Sequence, residues 1–201
     1  MKLVLASNNA HKLTELECLL APLGLSLVSQ GSLGIPEADE PHLTFVENAL
    51  TKARHAAQAS ACAAIADDSG LCVDALAGAP GVLSARYATL FGQAKSDEAN
   101  NMVLLQKMSG QSQRSARFIC ALVAVRAADD PEPLIAVGRW HAELLTSPRG
   151  QGGFGYDPLV FIPGLGSSVA ELAPEKKNQH SHRAKAMQQM LQLMREVWQL
   201  G

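Results

Sequence analysis

An α/β fold built around a mixed β-sheet is predicted for this chain, on three observations. Strand-length apolar runs alternate with helix-period segments near the N-terminus, in the order β-α-β. Two long apolar runs further on are joined by a connection short enough for an antiparallel pair. Apolar residues make up 47% and charged residues 18% of the 201 positions, a globular balance with length enough to bury a full core.

Residues 3–6 form a short apolar strand that stops at Ser7-Asn8-Asn9, whose side chains accept hydrogen bonds from free backbone N–H groups and so start helices. Leu13, Leu16, Leu20 and Leu23 then recur at helical spacing until Pro22 and Gly24 end the pattern, and residues 25–28 resume as a strand. Residues 31–42 hold glycines, two prolines and three acids, Glu37, Asp39 and Glu40, and read as a loop. Thr44-x-x-Glu47 is a capping box that opens an alanine-rich helix to about Ala59. Residues 62–66 read as a buried strand delivering Asp67 and Asp68 at its C-terminal end.

Beyond the breaker Gly78-Ala79-Pro80-Gly81, Ser96 or Asp97 caps a helix that runs to Met108 and stops at Gly110. Residues 118–125 and 134–145 are the two long strands, joined across Asp129-Asp130-Pro131. A glycine-rich loop over residues 150–157 precedes a strand at 159–162. Ala184, Met187, Leu191, Met194 and Trp198 share one face of a closing helix. Without repeats, low-complexity tracts or a linker, residues 1–201 read as one domain.

A net charge of −2 argues against stable nucleic-acid binding, which needs an excess of Lys and Arg. The four cysteines are scattered and form no Cys-x-x-Cys pair, so they read as reduced core thiols. The opening apolar stretch is too short for a signal peptide and no run reaches bilayer length, so no membrane association and a cytoplasmic location are expected.

The chemistry-bearing residues centre on Ala66-Asp67-Asp68-Ser69-Gly70. Two adjacent acids are ordinarily a solvated turn. Here they follow an apolar strand, and in open α/β sheets ligands gather outside the carboxyl ends of strands. Alternation along a strand points the two acids to opposite faces, so they do different jobs. Ser7-Asn8-Asn9-Ala10-His11-Lys12 sits where a strand turns into a helix, a place where free N–H groups favour an anion. The ordinary reading of that segment is a cap followed by a surface lysine. Glu47 is assigned to its cap, and Lys52 alone would be a solvated helical lysine. Phe154 and Tyr156 are candidates to stack on a base, and His182-Arg183 after Ser181 to hold a base edge or a phosphate.

Six segments, in order, resemble the inosine triphosphate pyrophosphatase family, the dITP/XTP pyrophosphatases that remove deaminated purine nucleotides. They are the Ser7 to Lys12 turn, Leu43-Thr44-Phe45-Val46-Glu47-Asn48-Ala49 with Lys52-Ala53, the Asp67-Asp68 segment, Gly78-Ala79-Pro80-Gly81 with Ser84-Ala85-Arg86-Tyr87, Gly152-Gly153-Phe154-Gly155-Tyr156-Asp157-Pro158, and Ser181-His182-Arg183. The resemblance implies an elongated mixed β-sheet with flanking helices, forming two lobes around a central active-site cleft, in a homodimer. It implies Mg2+-dependent cleavage between the α- and β-phosphates of ITP, dITP or XTP. By motif, Asp68 looks like the general base and a metal ligand, with Glu40 as the second ligand. Ser7, Asn8, Asn9, Ala10, His11 and Lys12 look like the triphosphate turn, Lys52 like a second phosphate-side lysine, and Ser69 like a substrate contact. Phe154, Gly155, Tyr156, Asp157, Lys177, His182 and Arg183 look like the nucleoside-recognition set. One departure stands out: the family commonly reads Glu-x-Gly before x-Thr-Phe, and here the glycine is His42, which leaves Glu37 and Asp39 as alternatives to Glu40. A septum-associated pyrophosphatase acting on modified pyrimidine nucleotides fits the Gly-Gly-Phe-Gly-Tyr-Asp and His-Arg segments less well. A nucleotide sensor without catalysis would not need Asp67, Asp68, Lys12 and Lys52 intact.

Overall fold

The computed structural model describes residues 2–8, 16 and 25–200. Asn9, Ala10, His11 and Lys12, with most of the helix predicted around Leu13 to Leu23, lie outside the described residues. The chain divides into two compact units. One comprises Met1–Asp68, Cys120–Gly138 and His182–Gly201, and the other Ser69–Ile119 and Arg139–Ser181.

The elements, in order, are β1 (Lys2–Leu5), β2 (Ser26–Ser29), α1 (Phe45–Ser60), β3 (Ala63–Val73), α2 (Asp97–Lys107), β4 (Ser115–Val125), β5 (Leu134–Leu144), β6 (Val160–Ile162), β7 (Ser167–Ser168), α3 (Pro174–His180) and α4 (His182–Trp198). Among the described residues, seven strands are hydrogen-bonded in the order β2-β1-β3-β4-β5-β6-β7. β1 runs parallel to β2 and β3, whereas β5, β6 and β7 pair antiparallel, so the sheet is mixed as the sequence predicts. Leu144 N–H donates to Arg114 O at 2.9 Å, which sets the end of β5 beside the entry to β4.

The first unit is a sheet covered on both faces, and period-2 alternation sorts its residues. Leu3, Leu5 and Ile65 join Leu122, Ala124 and the Met187, Met190 and Met194 face of α4 in one core cluster. Val4, Ala6, Ala64 and Ala66 join Ala121, Val123 and the alanine face of α1 (Ala49, Ala53, Ala56, Ala57) in the other. Small side chains on both sides of that second layer let helix backbone and sheet approach closely. Thr44 caps α1, its hydroxyl accepting from Glu47 N–H at 3.3 Å and donating to the Glu47 carboxylate at 2.6 Å. The predicted cap is therefore present, with Glu47 bonded to the Thr44 hydroxyl.

Gly138 fixes where α4 begins. A Cβ at Gly138 would stand 1.9 Å from the His182 carbonyl oxygen and 2.6 Å from Ala186 N, so backbone meets backbone at this point. Asp130 holds the β4–β5 connection, accepting from Arg126 N–H at 2.7 Å and Glu132 N–H at 3.0 Å.

The second unit has its own core of Leu71, Val73, Leu104, Met108, Phe118, Trp140, Leu144 and Leu159 among others. Ser96 caps α2 by accepting from Ala99 N–H at 3.1 Å, as its place before Asp97 predicts.

β3 corrects one expectation. Asp67 and Asp68 do not end the strand but lie inside an 11-residue one that continues to Val73. The strand passes through two acids because each carboxylate is met by a cation from the layer it faces. β1, however, stops at Leu5, and the register Leu3↔Ala63, Val4↔Ala64, Leu5↔Ile65 carried onward sets Ser7 beside Asp67. The acids thus sit at the carboxyl end of β1, the neighbouring parallel strand, so the topological argument holds with a different strand supplying the end.

Candidate active site

Within the first unit, the alternation that sorts the core also sorts the acids. Ala64, Ala66 and then Asp68 face α1, while Ile65 and then Asp67 face α4. On α1, Asn48 and Lys52 are one turn apart and share a face. Lys52 Nζ lies 3.4 Å from Asp68 Oδ1, and Asn48 Nδ2 donates to Asp68 Oδ2 at 3.3 Å. Lys52 Nζ also donates to Glu40 Oε1 at 2.9 Å. The structure therefore brings Glu40 to Lys52 and Asp68, while the Glu37 and Asp39 side chains are exposed.

Burial alone would lower the Lys52 pKa. Asp68, then Asp67 and Glu40, outweigh that effect and hold it above the ordinary 10.5. Lys52 is accordingly a fixed ammonium at neutral pH. Its stabilising contribution is complete below the unfolded value and disappears only as pH climbs through the raised folded one.

Asn48 is the residue that sequence reasoning missed. Its amide accepts from His42 N–H at 3.0 Å and donates to His42 O at 3.2 Å while also reaching Asp68. His42, where a glycine was expected, pins the same loop through its ring, with Nε2 3.0 Å from Thr51 Oγ1. One amide thus couples the loop that carries Glu40 to the strand that carries Asp68. The available signal was its spacing of four residues from Lys52.

Asp67 faces Arg183 of α4, with Nη2 3.7 Å from Oδ2. Asp67 and Arg183 are 1% and 2% exposed, and His182 is also buried. A charge so buried persists with an opposite partner, which makes Asp67 and Arg183 structurally interdependent, while Asp67 also acts on Lys52 through its charge. Ser7 is half-buried and Asn8 exposed at the end of β1. A Cβ on Gly31 would meet Asn8 Oδ1 at 2.6 Å, so the turn after β2 closes tightly on Asn8.

No group of three or more His, Cys, Asp or Glu side chains among the described residues is arranged to hold a metal ion. Asp68 and Glu40 do place two carboxylates on one ammonium. That donor set suits Mg2+, which takes one or two carboxylates and completes its shell with phosphate oxygens and water.

The remaining predicted residues, Ser69, Phe154, Gly155, Tyr156, Asp157 and Lys177, belong to the second unit. Asp157 Oδ2 accepts from Phe154 N–H at 3.0 Å and from Lys177 Nζ at 2.9 Å, and the same ammonium lies 4.3 Å from the centre of the Phe154 ring. Gly153 has φ 74°, and a Cβ there would stand 2.1 Å from Asp157 Oδ2, so only glycine admits that carboxylate. Tyr156 is buried with its hydroxyl donating to Ser84 O at 3.0 Å. Burial, with Tyr87 and Asp97 adding, pushes its pKa far above the ordinary value of 10.0. The Tyr156 ring thus belongs to the core, which leaves half-buried Phe154 as the loop's candidate aromatic for stacking.

Known proteins resemble this chain over nearly its whole length. The model of the Ham1 family matches residues 3–193. The dITP/XTP pyrophosphatase of Leptothrix cholodnii is 63% identical over the whole of both chains. That of Ralstonia nicotianae is 57% identical over 96% of each. Among solved structures, a HAM1 protein from Coxiella burnetii superposes with a TM-score of 0.91 at 41% identity, covering 98% of this chain and 100% of that one. A nucleoside-triphosphatase and dITP/XTP pyrophosphatase from Mycobacterium abscessus gives 0.75 at 41% identity, covering 95% and 99%.

Proposed function

The chain belongs to the Ham1 family, and from that premise we propose that it hydrolyses the deaminated purine triphosphates ITP, dITP and XTP to the nucleoside monophosphate and pyrophosphate. The observation that carries the reading is the setting of Asp68, a buried carboxylate between Lys52 and Asn48 at the carboxyl end of β1.

Asp68 accepts the proton of a water whose oxygen attacks the α-phosphorus. The bond from that phosphorus to the bridging oxygen breaks, and pyrophosphate leaves with the bonding pair. Lys52, a fixed cation, and the Ser7 to Lys12 segment hold the phosphate chain. Asp68 and Glu40 would hold Mg2+, whose chemistry is to offset the charge on the phosphates. Asn48 keeps the Asp68 carboxylate and the Glu40 loop in one place while the water is oriented. Phe154 stacks on the base, and donors of the His182-Arg183 segment read the acceptor oxygen at the purine 6-position, where adenine carries a donor amino group. We assign the activity to a cytoplasmic homodimer acting on free nucleotides. No described helix is long and apolar enough to cross a membrane.

Hydrolysis of dITP in 18O-labelled water with Mg2+ tests the bond assignment. The label is expected in dIMP, with unlabelled pyrophosphate released. Label in the pyrophosphate, or release of inorganic phosphate with dIDP, would refute it.

A further inference from the structure

The glycine-rich loop is held from outside itself, by α2. Asp97, in the first turn of α2, accepts from Gly155 N–H through Oδ2 at 2.6 Å. Asn101, one turn later, donates from Nδ2 to Gly155 O at 2.9 Å. Spacing of four places both side chains on one helix face, so a rigid element grips the N–H and the C=O of a single residue. The orientation of the Asn101 amide is set by that contact, because a flip would turn an oxygen toward the Gly155 carbonyl. Gly155 takes φ 61°, and a Cβ there would meet nothing within 4 Å, so it is glycine for its left-handed backbone and not for packing. Its neighbour Phe154 is tied at the N–H to Asp157 and lies under Lys177.

We propose that Asp97 and Asn101 are positioning residues for the nucleoside, acting through Gly155 to fix how Phe154 is presented to the base. The inference rests on the reading of Phe154 as the stacking residue. Neither side chain is assigned a contact with substrate, and neither is near the Asp68 cluster in sequence. A loosened loop loses stacking, which every purine shares, so the effect belongs in KM with turnover and base preference retained.

Two readouts test it on Asp97→Ala, Asn101→Leu and the conservative Asp97→Asn, which keeps an acceptor oxygen. In the alanine and leucine variants KM for dITP, XTP and GTP is expected to rise together by about tenfold with kcat within about twofold, the loss of a stacking contact. Hydrogen exchange at the Gly155 amide is expected to accelerate in Asp97→Ala and return toward wild type in Asp97→Asn. Met102→Ala, an exposed change on the same helix, is expected to alter neither. Unchanged KM with unchanged Gly155 exchange would overturn the proposal, as would a fall in kcat accompanied by a lowered Tm. If the wild type hydrolyses neither dITP nor XTP, the proposed activity falls, and Gly155 exchange still decides whether the clamp exists.

Discussion

Replacing Asp68 with Asn is expected to lower kcat for dITP by about a thousandfold or more, the scale of losing a general base, while the folded protein remains. The chemical loss follows from removing the proposed proton acceptor together with one of the two carboxylates suited to Mg2+. The retained stability follows from local charge. Among the described residues, Asp67, Asp68 and Glu40 present three carboxylates to the cations Lys52 and Arg183. Asparagine removes one negative charge with almost no change in shape, and Glu40 still pairs with Lys52. The unfolding free energy measured in urea without metal is therefore expected to stay within about 1 kcal/mol of wild type, the size of one exchanged hydrogen bond. A variant that keeps near wild-type turnover would remove Asp68 from its role. A variant that fails to fold would mean that the charge is structural.

Gly138→Ala is expected to cost about 3 kcal/mol or more, at the upper end for overpacked substitutions. The added methyl would collide with the His182 carbonyl and the Ala186 nitrogen, both backbone atoms of the first turns of α4. A side chain can change rotamer, but a helix backbone must move as a body. That body carries Met187, Met190 and Met194 in the core and Arg183 opposite Asp67. Urea unfolding reads the cost directly. A loss under about 1 kcal/mol would show that α4 can slide away and that Gly138 does not set its position.

Much of this arrangement was legible in the sequence, and the parts that were not share a cause. β1, α1, β5 and α4 could be read because period and caps are local properties, and Thr44, Ser96 and the alanine face of α1 stand where their patterns put them. That Asp67 and Asp68 face opposite layers followed from alternation alone. What failed was the end of β3. Two acids read as the close of a strand, and partners distant in the chain, Arg183 for Asp67 and Lys52 with Asn48 for Asp68, accompany its continuation through them. Gly138 left no local mark because it lies inside β5 without a left-handed backbone, and its need arises from the approach of α4. Asn48, Asp97 and Asn101 act on residues 20, 58 and 54 positions away respectively. α3, over Pro174–His180, leaves no periodic apolar pattern because it is short and polar. The loop acids were ambiguous for a similar reason: nothing in Glu37, Asp39 and Glu40 indicates which of them meets Lys52.

A triphosphate-cleaving site for deaminated purines must discriminate by base. Initial rates of pyrophosphate release are compared for dITP, XTP, ITP, GTP and ATP under one set of conditions with Mg2+. A site whose donors need an acceptor at the purine 6-position leaves buried polar groups unpaired on adenine, so kcat/KM for dITP and XTP is expected to exceed that for ATP by about a hundredfold or more. Equal rates across the panel, or release of pyrophosphate from none of the five, would contradict it.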